Sequence, residues 1–392
     1  MQSSDRDHFF ETDASQAQRA RKAAKAGNKH GDPIVLKSKI LAAISDPTSP
    51  LSSVFIAESA GYARRIELES SEPKTTYRGP KAPVTCLAVS GQTLFAGSWD
   101  KDIWSWDIES GEPRRKYSGH GDFIKTIVCT KINGKDLLIS GGADKKILVW
   151  DIATGQRLHT IQDPTTTMLA LQHLAIDPLL SDGDAVVVVS ASSDPNIRRW
   201  KVTLAGFEQL PETFPDKPEA ERLTILEHET SVYQLFFDTA DEEDVDLWTA
   251  SADGTAKCLS RARNFVTEDT FTHGDYVRAV VVAENWVITA GRDENLKVWD
   301  RSSGKLHCTL EGHYEEVTGL VLLPDAKGRP AKVCSVSIDG TIRTWPLTKT
   351  ELDEVVKKMA ETGKPKEAET EDKAEGMLTA EEEAELAELM DD

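Results

Sequence analysis

The sequence predicts an all-β fold made of repeated four-stranded units, and three observations carry that prediction. The first is a recurring strand–turn–strand core. Leu94 to Ile108 reads as a short apolar strand, a polar turn at Ser98 to Lys101, and a second strand in which Ile103, Ser105 and Asp107 alternate with Asp102, Trp104 and Trp106. Leu138 to Ile152 and Val287 to Arg301 repeat it, with the tryptophan six residues after the turn aspartate each time. The second is the period. Seven copies have Ile66, Trp106, Trp150, Trp200, Leu259, Trp299 and Trp345 at the tryptophan position, spaced 40, 44, 50, 59, 40 and 46 residues apart. The third is the lack of helical periodicity before the C-terminus, with Gly, Asp, Pro and Ser between β-rich runs. A period of roughly 40–45 residues with four strands per unit is the signature of propeller blades. The expected fold is a single seven-bladed β-propeller of four-stranded antiparallel blades over 31–348, with a flexible segment at 1–30 and an acidic, partly helical tail at 349–392.

A lone four-stranded sheet cannot bury both faces, so blades stack around an axis and the ring must close. The last repeat ends after its third strand at Leu347, and Asp32 to Ser38 is suited to supply the missing outer strand. Three longer stretches interrupt the period: Gln162 to Asp184, the proline-marked Leu204 to Arg222, and the acidic Asp238 to Asp246.

Gly119-His120, Glu227-His228, His273-Gly274 and Gly312-His313 precede several cores. With the Trp-Asp pairs, and a Ser or Thr four residues before the turn aspartate, they make the chain resemble the WD-repeat β-propeller family. The resemblance spans about Pro33 to Leu347. It implies a hydrogen-bonded tetrad in a blade, carried here by His120, Ser140, Asp144 and Trp150, by His273, Thr289, Asp293 and Trp299, and by His313, Ser335, Asp339 and Trp345. His228, Thr249 and Asp253 form a partial set with Leu259 in place of tryptophan. Ser190, Asp194 and Trp200 lack the histidine, Ala96 replaces the hydroxyl of the second blade, and Ala60 and Ile66 leave the first blade almost nothing.

A His/Ser/Asp trio repeated from blade to blade beside a tryptophan is structural rather than catalytic. There is no phosphate loop, dinucleotide loop or HExxH helix, so no enzyme activity, cofactor or metal is expected. The five cysteines lie far apart in strand-like runs, which argues against disulfides and zinc. The net charge of −20 opposes direct nucleic-acid binding, and no apolar run approaches the ~20 residues that span a bilayer. Cytoplasm or nucleus is the expected location.

The expected function is a non-catalytic scaffold for protein partners, some of them basic. A histone-binding reader and a ubiquitin-ligase substrate receptor are the rivals, although the blade ends after Trp106, Trp150 and Trp299 lack the W-D-x-R sequence frequent in such receptors. Trp99 and Arg292, just before turn aspartates, and Phe123, Tyr276 and Tyr314, just after the Gly-His markers, are the candidate partner contacts. Trp104, on the same side of its strand as Trp106, is expected to pack on a neighbouring blade. Residues 349–392 hold 16 acidic side chains against 6 lysines. Thr379 and Glu382 there form a capping box for a helix over 379–390 that aligns Leu386, Leu389 and Met390 for docking a second partner.

Overall fold

The computed structural model describes residues 13–163, 168–214, 217–239 and 245–362. Seven antiparallel sheets surround a central channel. The first blade comprises strands Ile40–Ser45, Ser53–Glu58, Ala63–Glu67 and Glu72–Tyr77. The second runs Val84–Ser90, Thr93–Ser98, Asp102–Asp107 and Pro113–Ser118, and the third Ile124–Ile132, Lys135–Gly142, Ile147–Asp151 and Arg157–Ile161. The ring closes as the chain start suggests: Ile34 and Val35 pair with Ile342 and Thr341 as the outer strand of the seventh blade.

The fourth blade departs from four strands. Its third strand, Asn196–Thr203, pairs with Phe207–Gln209 at one end and with Ile225–Leu226 at the other, so the outer strand is split. The proline-marked excursion enters through that split and forms a hairpin of Glu212–Phe214 with Lys217–Arg222. Successive blades share apolar clusters. Phe55, Ala57 and Tyr77 of the first, for example, pack against Leu94, Ala96 and Trp106 of the second. The five blade tryptophans are at most 8% exposed, and Ile66 and Leu259 fill the same position fully buried.

The N-terminal segment contains a helix, Asp13–Ala26, where the sequence suggested no order. Its composition favours helix but offers no apolar stripe, so local patterning gives no reason for it to dock. Order comes from distant acids: Arg21 and Lys25 pair with Glu294 at 2.6 and 3.1 Å, and Lys22 pairs with Glu315 at 2.5 Å. A second helix, Lys349–Thr362, lies on the sixth and seventh blades, with Leu352 fully buried and Val355, Val356 and Met359 packed beside it. The expected helix over 379–390, with Leu386, Leu389 and Met390, lies outside the described residues, as does most of the acidic loop.

Candidate interaction face at the channel mouth

Blade construction fixes the mouth of the channel. In the third blade His120 bonds Asp144 at 3.0 Å and Ser140 at 2.8 Å, and Trp150 Nε1 donates to Ser140 Oγ at 2.9 Å. His273, Thr289, Asp293 and Trp299 are linked likewise, as are His313, Ser335, Asp339 and Trp345, with all bonds at 2.8–3.0 Å. His228 bonds Asp253 and Thr249 at 2.7 Å without a tryptophan. Burial alone would raise the Asp339 carboxyl, but the bond and charge of His313 and the Thr341 contacts hold it below its ordinary range. Burial also lowers the His313 pKa.

Two blades solve the missing histidine differently. In the fourth, Arg198 takes over, bonding Asp163 at 2.7 Å and Asp194 at 3.1 Å, while Trp200 still donates to Ser190 at 2.9 Å. In the second, Asp100 accepts from Trp104 Nε1 at 2.9 Å, and Trp106 turns to the Arg78 carbonyl, also at 2.9 Å. Trp104 packs beside the cluster shared with the first blade, and Lys116 lies over its ring. Its ring also presses on Gly79, whose missing side chain admits it.

The residue before each turn aspartate, or before Ala60 in the first blade, sits at the rim. Its N–H donates to the carbonyl of the residue that opens the same blade. Ser59 is held by Lys39, Trp99 by Pro83, Ala143 by Phe123, Ser193 by Ala170, Ala252 by Ser231, Arg292 by Tyr276 and Ile338 by Glu316, all at 2.7–3.1 Å. Four of the five sequence candidates, Trp99, Phe123, Tyr276 and Arg292, therefore fall on one seven-fold ring, and they pair. Trp99 stacks on Phe123 and the Arg292 guanidinium lies 4.8 Å from the centre of the Tyr276 ring. Trp99, Phe123 and Tyr276 are 37–41% exposed. Tyr314 differs: it is only partly exposed and donates to the Asp339 carbonyl at 3.0 Å, a tie within its own blade.

Below the rim lies a second ring that strand alternation conceals. Every inner strand skips one residue of register: Leu41, Thr85, Lys125, Gln172, Tyr233, Arg278 and Thr318 in turn. A bulge leaves such a residue unpaired and re-aims its side chain. All seven line a cavity of about 310 Å³ at the head of the channel, with Trp99 and Ile338 at its edge. A signal was present, since Lys125, Tyr233, Arg278 and Thr318 each fall five residues after a marker histidine. Arg278 pairs with Glu316 at 2.8 Å and lies over Tyr233. Among the described residues, no cluster of histidines, cysteines and carboxylates could hold a metal. The cysteines are free, and burial pushes Cys86 and Cys334 up to about 12, so neither is a ready thiolate.

These repeats, their tetrads and the closed ring define a WD-repeat propeller, and the chain belongs to that family. A profile described as WD domain, G-beta repeat matches residues 71–107, 266–300 and 304–346, and one described as tRNA methyltransferase TRM82 WD40 domain matches 115–214. An uncharacterized WD repeat-containing protein of Schizosaccharomyces pombe is 30% identical over the whole of both chains. Nuclear distribution protein nudF of Aspergillus niger is 25% identical over 70% of this chain and 61% of its own. Ribosome biogenesis protein YTM1 of Eremothecium gossypii is 24% identical, over 67% of this chain and 64% of its own. The chain thus spans less than two thirds of these last two relatives. Among the described residues, no helix is long and apolar enough to cross a membrane.

Proposed function

We propose that this protein is a non-catalytic scaffold that holds one protein partner at the channel mouth and a second through its C-terminal tail, in the cytoplasm or nucleus. The observation that carries the reading is the rim itself. It presents exposed side chains of the types that dominate binding energies, paired as Trp99–Phe123 and Arg292–Tyr276, on backbone fixed by a repeated hydrogen bond. Rigid display lowers the ordering cost of association. The recurring His/Ser/Asp trios are tied into blade structure, which supports a role without catalysis. The relatives' names, nuclear distribution, ribosome biogenesis and kinase interaction among them, are compatible with scaffolding.

The test is affinity purification with mass spectrometry from cells expressing wild type, Trp99→Ala/Arg292→Glu, or a chain lacking residues 377–392. The double substitution is expected to lose one set of partners and the deletion another, each with the melting temperature nearly unchanged. Identical recoveries from the rim variant would move the binding face elsewhere, and identical recoveries from the deletion would end the docking role of the tail.

A further inference from the structure

The rim is chemically uneven. Over the sixth and seventh blades its acids are occupied, Glu294 and Glu315 by the N-terminal helix and Glu316 by Arg278. Over the first three blades the imbalance runs the other way. Lys37, Lys39, Lys81, Lys101 and Lys145 are exposed at this end, and none forms an ion pair among the described residues. The nearby carboxylates have other duties: Asp100 accepts from Trp104, Asp102 pairs with Lys116, Asp144 is bound by His120, and Asp122 accepts the N–H of Phe123.

Beneath these lysines stands Lys125, one of the seven bulge side chains. It is half-buried, lines the 310 Å³ cavity, and has neither hydrogen bond nor ion pair among the described residues. Burial, together with the charge of Arg278, lowers its pKa despite the opposing charge of Asp122, the mark of a cation without full compensation. Beside it rises the exposed Trp99–Phe123 stack.

We propose that this sector recognises an acidic peptide segment of a partner protein, Lys125 taking a carboxylate or phosphate at the head of the channel and the Trp99–Phe123 stack taking an adjacent apolar side chain. The proposal rests on reading the mouth as a partner-binding site and adds the partner's chemistry. It departs from the expectation of a basic partner. The net charge of −20 does not decide the matter, because charges more than about 8–10 Å away are screened at physiological salt, and residues 349–392 hold 16 of the acids. A peptide fits better than single-stranded nucleic acid, which needs a continuous basic track. Here two cations line the channel head, Lys125 and the Glu316-paired Arg278, and the others are spread around a rim.

Random short peptides displayed on phage and selected on the full chain test this. Enrichment of Asp and Glu next to Leu or aromatic residues is expected. A selected peptide should weaken with rising salt, lose roughly tenfold in affinity with Lys125→Gln, be restored by Lys125→Arg, and fail with Trp99→Ala. Melting curves check that each variant is folded. Peptides without acidic enrichment that still need Trp99 would overturn the anionic proposal and leave the mouth reading standing. Binding indifferent to both positions, or no selected peptide at all, would sink both. A short oligouridine that displaces the acidic peptides and binds more tightly would overturn the proposal in favour of nucleic acid.

Discussion

Trp99 of the second blade and Phe123 of the third stack with ring centres 4.9 Å apart and planes 16° from parallel. The contact joins two repeats at the rim and leaves both rings partly exposed. Each ring thus serves the blade junction on one side and is open to a ligand on the other.

Loss of that stack has a small folding cost. Trp99→Ala is expected to lower stability by about 0.5–1.5 kcal/mol, the range for an aromatic pair, because the residue is exposed and its backbone bond to Pro83 survives. Urea unfolding measures the effect. A drop of several kcal/mol would make the ring a core element.

Arg198 is the opposite case. Its side chain is 1% exposed and that of Asp163 is fully buried. Arg198→Ala takes a buried guanidinium from that carboxylate, and Asp194 loses its arginine partner, so a loss of roughly 3–5 kcal/mol is expected by urea titration. A near-neutral result would mean that water or another donor replaces the guanidinium.

The seventh-blade tetrad predicts acid sensitivity. His313 is buried with its pKa below the ordinary 6.5, so the unfolded chain takes up the proton first as pH falls. Stability contributed by the neutral ring is therefore complete above about 6.5 and declines below it. The melting temperature should fall between pH 7 and 5. His313→Gln should start lower but fall less, and equal slopes would remove His313 as a cause.

The C-terminal helix is held through Leu352, which is fully buried against the sixth and seventh blades. Leu352→Ala should cost roughly 2–5 kcal/mol, or else release the helix with little change in the propeller. Hydrogen exchange separates the two, since release speeds exchange in 349–362 alone. Unchanged protection and stability would contradict the packing.

The ring and its tetrads were legible because the relevant information is local. A turn aspartate, a hydroxyl four residues earlier and a tryptophan six residues later are all placed by one hairpin. Closure was legible from the missing strand after Leu347. What escaped depended on distant partners. The Asp13–Ala26 helix owes its place to Glu294 and Glu315, and Arg198 replaces a histidine through Asp163, to which no spacing points. Trp99 and Phe123 stood out singly as rim residues, but their contact crosses two repeats. The channel lysine stayed hidden because alternation assumes an unbroken ladder, and its side chain is set by a skipped residue.

The pairing of Ile34 with Ile342 also governs how the protein is made. The strand that completes the seventh blade is the first strand of the ring to leave the ribosome, and its neighbour Thr341–Pro346 is the last. At about 5–20 residues per second, that is a wait of roughly 15–60 s. During that interval the nascent chain carries an exposed strand edge at each end of a growing arc, so its solubility depends on conditions that the finished ring no longer requires.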